Sequence, residues 1–253
     1  MKENYYNPKT HIGSQPVRVL KWNVAHRLEY VHPEFPREFQ AILQRHSLQP
    51  CIAYDCSERP ILDSGSRDQL VPFVDEKKQV TIQETFLSMV WTVCYSHLVL
   101  FEEQNQKPLV NRICGPIHQV DHLAIQRAAD VYKYGVSLVC NYTPWDKNSL
   151  PNPEEYDPED FYIGKANGVF ILAMVFILCH ELAHIDLGHL DTYIPQADRL
   201  LAECEADQRA VQTMGSSGSR VGGFCFGKWF RGPIGRRNII FGRRANRLRL
   251  SDA

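Results

Sequence analysis

The chain has 253 residues, 44% of them hydrophobic and 23% charged, with a formal net charge of −1. That mixture is typical of a globular protein with a sizeable core and excludes a disordered, collagen-like or low-complexity scaffold. The near-neutral total excludes a nucleic-acid binder held by overall charge, but it conceals a split. Residues 215–253 hold 9 of the 28 Lys and Arg and 1 of the 29 Asp and Glu, a local net of +8 against −9 for the rest.

The first 15 residues contain no apolar stretch, so no secretory signal is expected. The longest unbroken apolar run, 169–179, falls short of the ~20 residues that span a bilayer. The expectation is a cytoplasmic protein, without membrane or nucleic-acid partners, whose eight cysteines (51, 56, 94, 114, 140, 179, 204 and 225) are reduced thiols. Cys51 and Cys56 have no second close pair, so a structural zinc there is not expected.

In chain order, residues 1–80 are mixed. Apolar pieces at 17–20, 51–54 and 70–74 among Pro, Gly and Ser suggest short strands, with one helix near 36–45. Thr81 followed by Glu84 predicts a capping box opening a long, mostly buried helix over 82–103. A helix over 121–139 places Ala124, Ala128, Val131 and Gly135 on one face. The proline-rich loop 141–160 ends in Asp157-Pro158-Glu159-Asp160, the composition of a helix start. The helix that follows is expected to break near 164–168 and to stop at Gly188. A last helix fits 196–213. Beyond Met214, a tail with 8 of the 15 glycines and eight arginines shows no sustained periodicity. It reads as a flexible extension, an altered reading frame or a non-native end, with a nucleic-acid or membrane-surface arm as the lesser alternative that its charge offers. The expected fold is α+β and mainly helical. One domain covers 1–214, with a mixed α/β part (1–80) and a helical catalytic part (81–214), before the basic tail 215–253.

The stretch that carries chemistry is His180-Glu181-Leu182-Ala183-His184, an HExxH pattern at the end of the apolar run. Residues four apart share a helix face, so His180 and His184 can turn a ring nitrogen towards one Zn²⁺. Glu181 follows the first ligand, where its carboxylate can take a proton from a water that the metal acidifies and pass it to a leaving amine. Eighteen residues (185–202) separate His184 from Glu203-Cys204-Glu205-Ala206-Asp207. Glu203 is the expected third ligand, with Asp207, four residues on, orienting a histidine through its other ring N–H. Glu205 is the alternative ligand, lacking such a partner. Two His and one carboxylate favour one zinc per chain.

His189, beside Gly188, reads as a helix cap rather than a ligand, and Asp186 as a solvated helix residue. His97, His118 and His122 lack metal-ligand spacing. Tyr193 is a candidate donor for the oxyanion, with packing as the plainer reading. The pattern HExxH…ExxxD resembles that of the gluzincin class of zinc metallopeptidases. The metzincin pattern does not fit, because Leu187 and Leu190 stand where it needs Gly and His. The gluzincin resemblance implies a zincin-like fold, in which the HExxH helix faces a glutamate-bearing helix beside a few short strands. It also implies an edge strand that binds extended substrate, for which 51–54 is the candidate.

Three blocks give a narrower resemblance, to the Lit-type phage-exclusion peptidases of bacteria. They are the aromatic-rich segment 84–96 with Trp91 and Cys94-Tyr95, the acidic Pro-rich loop leading through Gly164-Lys165-Ala166-Asn167 into HExxH, and the Glu-x-Glu-Ala-Asp block. That resemblance implies a cytoplasmic zinc endopeptidase of narrow specificity acting on the translation apparatus. Elongation factor Tu would be its substrate and a phage peptide its trigger. Two other functions compete: a regulatory metallopeptidase that cleaves a repressor, and a non-catalytic zinc-containing binding module. The first commonly carries a helix-turn-helix module, which is not found here. Against the second stand a complete base and an open fourth metal position.

Overall fold

The computed structural model describes residues 13–48, 52–62, 73–74, 80–154, 161–189, 195 and 198–215. The expected helix start at 157–160, Tyr193, Cys51, Cys225 and the tail beyond 215 lie outside the described residues. In order come a 3-10 turn (Pro16–Leu20), α1 (Lys21–Glu29), α2 (Phe35–His46), β1 (Ile52–Asp55), β2 (Phe73–Val74) and β3 (Val80–Gln83). Helix α3 (Glu84–Phe101) continues through a π-helical turn (Glu102–Gln106) into α4 (Lys107–Cys114), followed by α5 (His122–Ser137), α6 (Phe161–Asp186) and α7 (Arg199–Gly215). Among the described residues the fold is mainly helical with one small sheet, as expected.

The sheet has the order β1-β3-β2, with β1 parallel and β2 antiparallel to the central strand. All four residues of β3 are buried, as a strand covered on both faces requires. The candidate edge strand falls on β1, at the rim of this sheet.

Three local expectations are corrected. The piece 17–20 is a 3-10 turn leading into α1, not a strand. Pro16 starts that turn with a fixed backbone angle suited to a helix entrance. The capping box at Thr81 and Glu84 does not form either. Thr81 is held extended in β3, and Gln83 takes the cap position without a side-chain bond. The Glu84 carboxylate turns inward instead, to the Lys21 ammonium at 2.8 Å and the backbone N–H groups of Ser14 and Gln15 at 3.0 and 3.2 Å. A buried ammonium is a stronger partner for a carboxylate than one backbone amide. Finally, α6 runs unbroken through Gly164 and Gly168. Each glycine costs a helix about 1 kcal/mol, but burial of Ile163, Ala166, Phe170 and Met174 along the same stretch outweighs that cost.

Helix α6 is the centre of the molecule, packed by α1, α2, α3 and α7. Trp91 of α3 is fully buried, and its indole N–H donates to Asn167 Oδ1 on α6 at 2.8 Å. Trp145 packs edge-on against Trp91. Helix α5 lies along α3, with Asp121 accepting the N–H groups of Leu123 and Ala124 as its N-cap. The π turn bends Glu103 into the interior, where Lys107 at 2.6 Å, Tyr162 and the Asp121 backbone N–H at 2.8 Å satisfy it. Two stretches, Glu84–Cys114 and Phe161–Asp186, are long and apolar enough to cross a membrane by length and composition. In this fold each is flanked by other helices, as core helices are.

Candidate metal centre and active site

The last two turns of α6 carry His180, Glu181 and His184, and α7 packs directly against them. Ala202, Ala206 and Ala210 line the buried face of α7. These small side chains let the two helix backbones approach closely. Glu203 and Asp207, four apart on α7, are thereby brought to the two histidines.

His180 Nε2 and His184 Nε2 face each other at 3.0 Å, and Glu203 Oε2 lies 3.3 Å from the first and 3.6 Å from the second. Among the described residues, these three offer ligand atoms within 4.8 Å of one another. A tetrahedral ion with bonds of about 2.0–2.1 Å sets its ligands about 3.3 Å apart, close to the separations found. His180 Nδ1 lies 2.9 Å from Asp207 Oδ1. Since a carboxylate only accepts, that nitrogen carries a proton, and in the neutral ring Nε2 is then the lone pair.

Of the two candidate glutamates, Glu203 faces the histidine pair, while Glu205 Oε2 lies 3.2 Å from His189 Nε2. His189 does act as a cap: its backbone N–H bonds the His184 carbonyl at 3.0 Å beyond Gly188, whose φ is 73°. Its ring also reaches back, Nδ1 to Nδ1 of His184 at 3.0 Å, a contact that sequence spacing did not suggest. Gly188, whose positive φ turns the chain back onto the last helical turn, is the one local sequence signal for it. Asp186 differs from its reading as a solvated residue. It is mostly shielded and joins Arg45 of α2 and, at 3.6 Å, Arg209 of α7. His97 Nδ1 lies 2.9 Å from the Val93 carbonyl, away from this cluster.

Burial draws the His180 ring down, but the Asp207 hydrogen bond and the carboxylates of Glu181, Asp207 and Glu203 outweigh it and hold the ring above its ordinary value. Burial, joined by the charged forms of the neighbouring His180 and His189, lowers His184 against the opposing pull of Glu203. Burial also pushes the Glu181 carboxyl up to about 7; His180 opposes that rise and Glu203 adds to it. A carboxyl balanced near neutrality is suited to taking up and giving back a proton. Each of the six described cysteines is a free thiol.

Comparison with protein families matches residues 80–220 to the model described as Peptidase U49. The match spans β3 to the end of α7 and takes in more than half of the chain. Neither the curated proteins nor the solved structures give a match.

Proposed function

Because the chain belongs to the Peptidase U49 family and is therefore a peptidase acting on protein or peptide substrates, we propose that it is a zinc-dependent endopeptidase. In this reading His180, His184 and Glu203 hold one zinc ion, and Glu181 is the general base. The observation that carries it is the convergence of two imidazole nitrogens and one carboxylate oxygen on a single point, beside a glutamate raised to about 7. The donor set fits the group, because facing lone pairs and a carboxylate repel unless a cation or proton lies between them. When bound, zinc supplies an acidified water and polarises the scissile carbonyl.

The chain's own residues do the remaining work. Asp207 holds the His180 ring in the orientation and tautomer that frees Nε2. Glu181 accepts the proton of the attacking water, keeps it while the C–N bond weakens, and delivers it to the departing amine. Its raised affinity for protons suits both halves of that exchange. The resemblance to Lit-type peptidases supports a narrower reading: a cytoplasmic enzyme of phage defence, with elongation factor Tu as substrate and a phage peptide as activator.

The test is Glu181→Gln in a cleavage assay on elongation factor Tu and on unfolded protein substrates. The variant is expected to keep its zinc and lose about 10²–10⁴-fold in rate, and chelation should abolish wild-type cleavage. Full activity in the variant would remove Glu181 from the mechanism. Wild-type protein that binds zinc and cleaves nothing would favour a binding module.

A further inference from the structure

We infer that His189 and Glu205 form a relay that positions His184 and strengthens it as a metal ligand, an inference that rests on the zinc site proposed above. The chain of contacts is continuous: His184 Nδ1 to His189 Nδ1 at 3.0 Å, then His189 Nε2 to Glu205 Oε2 at 3.2 Å. The rings of the two histidines meet edge to face, their centroids 5.1 Å apart.

With both imidazoles neutral, as a metal ligand and its orienting ring are, proton placement along this chain has one consistent solution. Glu205, as a carboxylate, can only accept, so His189 Nε2 carries a hydrogen and donates it. In a neutral ring the other nitrogen, Nδ1, is then an acceptor, and the hydrogen between the two histidines belongs to His184 Nδ1. That leaves His184 Nε2 as a lone pair, aimed at His180 Nε2 and Glu203. Negative charge at Glu205 is thus transmitted through His189 to His184, which raises the basicity of the ligand nitrogen.

Helix α7 supplies all three acids, each with a different task. Glu203 and Asp207, four apart, share the face towards the histidines. Glu205, two residues from each, lies round the helix and meets His184 by way of His189. The Gly188 turn makes this possible, since it brings His189 back over the last turn of α6. Glu205 is half exposed, at 51%, whereas the His189 side chain is 11% exposed. Glu203 is no less exposed, at 58%, so what separates the two acids is their contacts: Glu203 reaches both Nε2 atoms, whereas Glu205 meets only the shielded His189 ring, as an orienting group does.

The experiment measures zinc affinity of the full chain by competition with a chromophoric chelator. It compares wild type with Glu205→Ala, His189→Ala and the double variant, and checks folding by circular dichroism. Each single substitution is expected to weaken zinc binding about tenfold or more. The double variant should be no weaker than His189→Ala alone, because Glu205 acts only through that ring. Glu205→Ala alters an exposed side chain and so separates the relay from the capping role of the His189 backbone. Affinities within twofold of wild type would overturn the relay and leave the zinc site standing. So would fully additive losses, which mean that Glu205 acts as a distant charge. A folded wild type that takes up no zinc would overturn both.

Discussion

Glu181 follows His180 on α6 in a shielded position, and burial pushes its carboxyl from 4.5 up to about 7. The shift makes a prediction for the metal-stripped protein. Between about 4.5 and about 7 the folded chain keeps this proton while the unfolded chain has released it. Glu181 therefore makes stability fall as pH rises through that window. Glu181→Gln removes the titration, so the variant should gain on wild type across the window and be more stable above it by about 2 kcal/mol, allowing for partial exposure. Thermal melts in chelator at stepped pH check this, and parallel curves for the two proteins would contradict it. The residues of this site were unequally legible in the sequence. His180 with His184, and Glu203 with Asp207, are each four apart, and helix geometry alone puts such pairs on one face. His189 and Glu205 are 16 residues apart, and their meeting depends on the Gly188 turn and on how α7 returns. No local period encodes that. Arg45, which reaches Asp186 from another helix, is further still from any sequence signal.

At the scale of elements, the site depends on the closeness of α6 and α7. Ala206, three residues after Glu203 and next to Asp207, is fully buried, and Ala202 and Ala210 extend the same small-residue face. Ala206→Leu would force three extra carbons into that contact, at a cost of about 1–3 kcal/mol. It would also push Glu203 away from the histidines. Denaturant unfolding should register the first effect and zinc titration the second, while unchanged zinc affinity would show that the helix spacing does not set the ligand geometry. The helices themselves were largely legible. The period-3.6 face on α5 appears as read, with Ala128, Val131 and Gly135 buried. The failures came where tertiary partners overrode local chemistry. Glu84 belongs by sequence to a capping box, yet a lysine 63 residues away claims it. The glycines of α6 read as a break, yet the surrounding core holds the helix straight through them.

The molecule as a whole joins residues outside the family match to those inside it. Lys21, on α1, and Glu84, at the start of α3, form an ion pair in which neither side chain is more than 3% exposed. Gln15 donates to the Tyr142 hydroxyl at 2.9 Å, and Arg45 ties α2 to Asp186 at the end of the HExxH helix. Lys21→Met would leave a buried carboxylate without its cation, which costs about 3–5 kcal/mol. Adding Glu84→Gln should recover much of that loss, because the stranded charge is then gone. Urea unfolding of the single and double variants decides it, and a loss under about 1 kcal/mol for Lys21→Met would contradict the pairing. The proposed activity rests on a site built for one metal ion. The most direct test is the metal content of purified wild type beside His184→Ala and Glu203→Ala, read by elemental mass spectrometry. One zinc per folded wild-type chain is expected, and its loss in both variants. A folded wild type without metal, or zinc retained in Glu203→Ala and lost in Glu205→Ala, would contradict it.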